Sequence, residues 1–324
     1  MKTTTKPANE MRKLAYDSRV FVIIDIKSVF QKGIWTMMLK QGDRIGLVAC
    51  SNAMEQSEAE QLQELVDTLK EMGLVPVLSP YLFRRYSVFG AEAQARADAL
   101  HALYMDESVK AIFDISGGDI ANEILTHLDF EQITAHPKPF FGYSDLTAII
   151  NAIYEKTGAC SYLYQLKCLV WEDKYAQREA FQNSLLRGQN DLFHAKWTFI
   201  RGRSAVGVVV GGNIRCLLKL AGTPFMPDLS GKLLFLESYG GGAAQMTAFL
   251  SQLLQMGAFD QIAGLLLGTF TKMEETCETP DMTELVYAMT KDFDFPIAKT
   301  HDIGHANSSN CMIIGTKQSF AQSD

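Results

Sequence analysis

The sequence predicts an α/β fold of two units, a doubly wound parallel sheet followed by a smaller C-terminal α/β domain. Three observations lead there. The chain has 324 residues, which at about 100–200 residues per domain gives about two domains, each large enough for a core of its own. From residue 45 onward, short β-branched runs alternate with stretches of helical period, the order that builds a parallel sheet covered on both faces. Apolar residues make up 47% and charged residues 21%, with only 9 Pro, the composition of a packed protein rather than a disordered one.

In chain order, residues 1–37 stand apart. Residues 1–19 are polar without a period, 20–30 hold one short apolar run, and the pair Met37-Met38 directly precedes the regular pattern. They are read as an N-terminal extension, a tail or the product of an early start codon. Residues 38–171 form the first unit. Residues 45–49 read as a strand, and 57–72 carry Leu62, Leu65, Val66, Leu69 and Met72 at helical spacing. Strand 74–78 then closes a β-α-β unit. The alternation continues through an Ala-rich helix at 91–104, strand 109–115, helix 120–128, strand 140–143 and helix 145–156. A sheet of this kind binds its ligand at the carboxyl ends of its strands. Residues 172–204, with mixed charges and a helical patch, read as a connection. Residues 205–324 form the second unit, with strands at 206–210, 232–236 and 262–267. No internal repeat is visible.

Lys plus Arg number 30 and Asp plus Glu 37, a net charge of −7. With no basic block to neutralise phosphates, nucleic acid is not expected as a partner. The longest apolar runs, 20–24 and 262–270, fall short of the roughly 20 residues that cross a bilayer. The basic N-terminal stretch is followed by no small-residue cleavage site. The expectation is a cytoplasmic protein with no membrane partner. Six cysteines (Cys50, Cys160, Cys168, Cys216, Cys277, Cys311) include no C-x-x-C pair and sit mostly in apolar segments, so neither a disulfide framework nor a zinc site is indicated. No cofactor or metal is expected.

The most informative segment is Phe140-Phe141-Gly142-Tyr143-Ser144-Asp145, where an apolar strand stops at a serine and a helix with Leu146, Ile149, Ile150 and Ile153 begins at once. A serine on such a turn exposes its hydroxyl at the sheet edge, and the helix start offers backbone N–H groups to a developing oxyanion. Serine at this place is more often a simple N-cap. The second glycine of G-x-S-x-G is missing, so an α/β-hydrolase is not indicated. Upstream, strand 109–115 runs into Ser116-Gly117-Gly118. Paired glycines at a strand end let backbone N–H groups approach a ligand, as an oxyanion hole or phosphate cradle requires, or form an ordinary turn. The sequence contains neither G-x-x-x-x-G-K-[ST] nor G-x-G-x-x-G, the usual nucleotide-binding signals. Strand 232–236 delivers Glu237 just before Ser238-Tyr239-Gly240-Gly241-Gly242, and an acid at the end of an apolar strand invites a partner. Near the C-terminus, Gly304-His305-Ala306-Asn307 puts a histidine in a turn, where it can serve as a general base. His101, His127, His136, His194 and His301 compete with it for that role.

Together these segments resemble the LD-carboxypeptidase (muramoyltetrapeptide carboxypeptidase) family of serine peptidases, to which microcin C self-immunity proteins are related. The resemblance spans about residues 38–316. It rests on Leu39-Lys40-Gln41-Gly42-Asp43-Arg44-Ile45-Gly46, Gly117-Gly118, Gly142-Tyr143-Ser144-Asp145-Leu146-Thr147-Ala148, Gly211-Gly212-Asn213, Gly222-Thr223-Pro224, Leu234-Phe235-Leu236-Glu237 and Gly304-His305, all in order. It implies Ser144 as nucleophile, His305 as base, Glu237 as the third member of the triad, and the backbone N–H groups of Asp145 and the Gly117-Gly118 turn as oxyanion donors. It also implies a nucleophile domain joined to a C-terminal domain that brings the glutamate and histidine across the interface, commonly in a homodimer.

The chain departs from the family pattern in three places. The R-G-G-Y-G turn is here Ser116-Gly117-Gly118-Asp119-Ile120, the T-[FY]-[HY]-G-P segment is Ser161-Tyr162-Leu163-Tyr164-Gln165, and Ser238 stands where a second acid often follows the triad glutamate. The expected activity is removal of a terminal D-alanine from muropeptide tetrapeptides in peptidoglycan recycling, with a small peptide or muropeptide as partner. The alternatives are an immunity-type amidase acting on aminoacyl-nucleotide conjugates and a catalytically silent peptide-binding protein. Trp171, Trp197, Tyr162 and Tyr164 are candidates either for an aromatic plate in a cleft or for the core.

Overall fold

The computed structural model describes the strand pair Val20–Phe21 and residues 38–322. Thirteen strands, numbered in chain order, divide between two sheets. β1 is Val20–Phe21, β2 Arg44–Val48, β3 Val75–Leu78, β4 Val109–Asp114, β5 Phe140–Gly142, β6 Ser161–Leu163 and β7 Lys196–Arg201. β8 is Ser204–Asn213, β9 Lys232–Ser238, β10 Gly264–Phe270, β11 Ile297–Lys299, β12 Met312–Ile314 and β13 Lys317–Ala321. The first sheet has the order β12-β6-β5-β4-β2-β3 and the second β1-β7-β11-β10-β9-β8-β13.

In the first sheet β2 through β6 pair in parallel, and β12 is antiparallel at the edge. Its parallel part is the doubly wound order 2-1-3-4-5, in which the chain reverses direction between β2 and β4. The loops after β2 and β4 meet there in a bridge between Asn52 and Gly117. In the second sheet β8 to β11 are parallel, with antiparallel β7 and β13 added outside them. β9 and β10 read as unbroken apolar runs because both faces are covered, and every residue of β10 is buried.

The expected two-unit α/β fold is present, with differences at its seams. Residues 172–204, read as a connection, contain β7, a strand of the second sheet that pairs with β11 and β1. Residues 205–324, read as the C-terminal domain, also supply β12 to the first sheet, where Met312 pairs with Leu163. Short strands such as β6 and β12, three residues each, carry too little periodicity to be read locally. The expectation of an N-terminal extension over 1–37 falls outside the described residues except for Val20 and Phe21, which pair with Trp197 and Lys196. No helix among the described residues is long and apolar enough to cross a membrane. Four of the cysteines are buried, as expected of small apolar residues, whereas Cys277 is exposed and Cys160 partly so.

Helix Thr271–Glu275 follows β10 directly and carries Glu274, which pairs with Lys299 of β11 at 2.9 Å. Burial alone would raise the Glu274 carboxyl, but hydrogen bonding to His301 and Lys299, with the Lys299 charge, brings it down to about 2. A carboxylate with a lowered folded-state value stabilises the fold above its ordinary range near 4.3 and loses that contribution as pH falls toward the lowered value. Allowing for its partial exposure, the contribution at pH 7 is about 1–2 kcal/mol. Denaturant unfolding at pH 7 and pH 3 should therefore show that Glu274→Gln is less stable than the parent at pH 7 and that this deficit falls to about half at pH 3. An equal deficit at both pH values would show that the ion pair is not its source.

Candidate active site

β5 ends at Gly142, Tyr143 follows in extended conformation, and Ser144 opens a single 3-10 turn that leads into helix Thr147–Thr157. Ser144 has φ of +53°, a left-handed conformation uncommon for a non-glycine residue. An N-cap residue instead has extended backbone and accepts a bond from the helix. Here the cap positions are Tyr143 and Leu146, neither with a side-chain cap bond. The capping reading of Ser144 therefore fails, and a strained strand-to-helix elbow takes its place. Gly142 permits this elbow, since a Cβ there would lie 2.6 Å from the Cβ of Leu146. Leu146 occupies the position of the missing second glycine, and the chain tightens over Gly142 instead.

Glu237 is the penultimate residue of β9, fully buried. Its Oε2 lies 2.5 Å from Nδ1 of His305, while Oε1 has no hydrogen-bond partner. His305 sits in the loop between β11 and β12. Gly304 makes that placement possible, because its φ is +152° and a Cβ there would lie 1.8 Å from Oγ1 of Thr269. The loop is pressed onto β10, where the Thr269 amide donates to the Ile303 carbonyl at 2.9 Å. The imidazole is flanked by Tyr143 and Tyr239, with ring centroids 4.5 Å and 5.4 Å away. Its Nε2 is buried without a partner.

Ser144 and His305 line one cavity of about 340 Å³, together with Gly118, Asp119, Asn213, Arg215 and the loop from Ser238 to Gly241. A second, larger cavity of about 690 Å³ shares His305 and Tyr239 and adds Tyr143, Trp171, Glu172 and Lys174. Of the four aromatics singled out, Trp197, Tyr162 and Tyr164 are core and Trp171 alone lines this cavity. The other five histidines do not line either cavity. Among the described residues no three His, Cys, Asp or Glu side chains gather as a metal site.

The expected oxyanion segments flank Ser144. Gly118 lines its cavity, and Gly117 accepts from the Asn52 amide at 3.0 Å. Asp145 is fully buried. Its carboxylate accepts from Ser51 Oγ at 2.6 Å and from the Ala121 amide at 2.8 Å, and pairs with Lys219. In place of the family arginine, Ser116 accepts from the Ser51 amide at 2.9 Å and donates to Asp114 at 2.5 Å. The turn after β4 is thus held by a buried polar cluster rather than by an arginine.

Several residues of this site were not among the sequence candidates. The carboxamide of Asn151 pairs with both backbone groups of Gly211, at 2.8 and 2.9 Å, and Thr147 Oγ1 accepts from the Asn213 amide at 3.0 Å. The helix behind Ser144 is thereby fastened to the end of β8, where the Gly211-Gly212-Asn213 motif lies. From the second unit, Arg215 Nη2 donates to the Gly118 carbonyl at 2.8 Å and its Nη1 pairs with Asp119, while Lys219 donates to the Asp119 carbonyl at 2.7 Å. The one local signal was Asn151, a polar residue within the otherwise apolar run Ile149 to Ile153.

Comparison with known proteins bears on this arrangement. Residues 45–164 match the LD-carboxypeptidase N-terminal domain and residues 206–320 the LD-carboxypeptidase C-terminal domain. A probable murein peptide carboxypeptidase of Bacillus subtilis is 28% identical over 304 residues, covering 90% of this chain and 93% of that protein. The microcin C7 self-immunity protein MccF of Escherichia coli is 23% identical over 314 residues, covering 86% and 90%. Among solved structures, a MccF-like protein from Bacillus anthracis superposes with TM-score 0.78 at 26% identity, covering 89% of this chain and 96% of that one. A muramoyltetrapeptide carboxypeptidase from Oxalobacter formigenes does so with TM-score 0.69 at 21% identity, covering 87% and 99%. With both of its domains matched in sequence and in fold, the chain belongs to the LD-carboxypeptidase family of serine-type carboxypeptidases.

Proposed function

We propose that Ser144, His305 and Glu237 act as nucleophile, base and orienting acid in removing a terminal D-alanine from muropeptide tetrapeptides, in the cytoplasm. The observation that carries this reading is the imidazole itself, held by buried Glu237 through Nδ1 at 2.5 Å, with Nε2 unpartnered in the cavity that Ser144 lines. Nε2 takes the proton of Ser144 as Oγ attacks the carbonyl carbon. Backbone N–H groups of Asp145 and of the Gly117-Gly118 turn receive the developing oxyanion. The tetrahedral species expels the amine of D-alanine, which takes its proton from the imidazolium. Water, activated by the same His305, then releases the tripeptide acid and restores Ser144. A purely binding protein has no use for the strained backbone at Ser144, which supports catalysis over the silent reading.

One observation favours a second reading, an immunity-type amidase acting on aminoacyl-nucleotide conjugates. Trp171 lines the larger cavity beside Tyr143 and Tyr239 and offers an aromatic face to a base. The net charge of −7 gives no attraction for a phosphate-bearing conjugate. The test compares kcat/KM for a muropeptide tetrapeptide, the matching pentapeptide and an aminoacyl sulfamoyl adenylate with one enzyme preparation. The tetrapeptide should be the best substrate and the pentapeptide poor, because an extra residue displaces the terminal carboxylate. A higher value for the adenylate would replace the first reading by the second.

A further inference from the structure

We propose that Arg215 binds the terminal carboxylate of the residue that leaves, and so makes the enzyme a carboxypeptidase rather than an endopeptidase. The inference rests on the triad reading above and adds the group that selects the substrate's end. A carboxylate one residue beyond the scissile bond must be met within the cavity that holds the nucleophile. Among the described residues, apart from His305, the only cationic side chain lining the Ser144 cavity is Arg215, whose side chain is 37% exposed.

Neighbouring cations are already committed. Lys219 pairs with buried Asp145, and Lys174, in the larger cavity, pairs with Glu64 at 2.8 Å. The partners of Arg215 differ in kind. One is the neutral carbonyl of Gly118, which orients the guanidinium, and the other is Asp119, whose side chain is 66% exposed. An exposed ion pair is worth little, so Asp119 can yield to water when another carboxylate arrives. A guanidinium has five N–H donors in a planar fork suited to a carboxylate, and the Gly118 contact occupies only one of its nitrogens. Asp119 thus acts as a placeholder, screening the cation when the site is empty. Asp119 stands where the R-G-G-Y-G turn has tyrosine, and the carboxylate it places there is the one that pairs with Arg215.

The experiment measures kcat/KM for a tetrapeptide ending in free D-alanine and for the same peptide ending in D-alanine amide, in wild type, Arg215→Gln, Arg215→Lys and Asp119→Asn. It also measures binding of both peptides to Ser144→Ala with and without Arg215→Gln. Wild type should prefer the acid by about 10- to 100-fold, the size of a lost charge-assisted pair. Arg215→Gln should reduce that preference to within about threefold, Arg215→Lys should restore part of it, and Asp119→Asn should preserve or sharpen it. If Arg215 serves only to hold the Gly118 turn, acid and amide will fall together and the preference will survive, which overturns the assignment and leaves the triad reading intact. If Arg215→Gln does not fold, an acid preference in Arg215→Lys that is reduced but not abolished, together with its retention in Asp119→Asn, carries the test, and unchanged preference in both overturns the proposal. Absence of both cleavage and binding of the tetrapeptide overturns the function reading and the proposal with it.

Discussion

Replacing Ser144 by alanine should lower kcat/KM by about 10³- to 10⁶-fold, because nucleophile and base act as a unit and loss of either disables the route. Stability should change by less than about 1 kcal/mol, since no cap bond is lost. Replacing it by glycine separates chemistry from backbone. The left-handed conformation costs a non-glycine residue about 1–2 kcal/mol, and the added chain freedom of glycine returns about 0.5–1 kcal/mol of that to the unfolded state. Ser144→Gly should therefore be as inactive as Ser144→Ala yet more stable than it by up to about 1 kcal/mol. Turnover assays and denaturant unfolding on both variants decide the matter. An active alanine variant removes Ser144 from the chemistry, and a glycine variant clearly less stable than alanine shows that the elbow is not strained.

The second large effect is expected from Glu237→Gln. The amide replaces an acceptor that holds the proton on Nδ1 of His305 with a group that can donate to it, which places the proton on Nε2, where the hydroxyl proton of Ser144 must go. In Ser-His-Asp proteases the equivalent acid-to-amide change lowers kcat about 10⁴-fold, and about the same is expected here. Stability should move the other way or not at all. Glu237 is fully buried with one oxygen unpartnered, and an amide is cheaper to take out of water than a carboxylate. A variant inactive and at least as stable as the parent supports the orienting role. Retained activity excludes it, and a folded protein with a much lower Tm would mark Glu237 as mainly structural.

Much of the site could be read along the chain because each member ends a strand or sits in a marked turn. Ser144 lies where β5 meets its helix, Glu237 at the end of β9 and His305 after Gly304, and in each case a local change of period exposed the residue. Trp171 shows the limit of that reading. In the sequence it is one of four aromatics of equal standing, and only the docking of the two units leaves it at the cavity while Trp197, Tyr162 and Tyr164 pack inside. The seams were illegible for a similar reason. β12 leaves the second unit to join β6, and three residues carry no pattern that names their partner.

The sequence by itself determined the alternating α/β order, the parallel interior strands, Ser144 and Glu237 at strand ends and His305 in a marked turn, since hydrophobic period and turn signals are properties of neighbouring residues. The tertiary structure alone decided what joins the units. Asn151 fastens the nucleophile helix to Gly211, and Lys219 reaches the buried carboxylate of Asp145. Arg215 grips the turn at Gly118 and Asp119. The physical reason is that such bonds depend on which surfaces two sheets present to each other. Residues 60 to 97 apart in the chain become partners only there, and no local period encodes that distance.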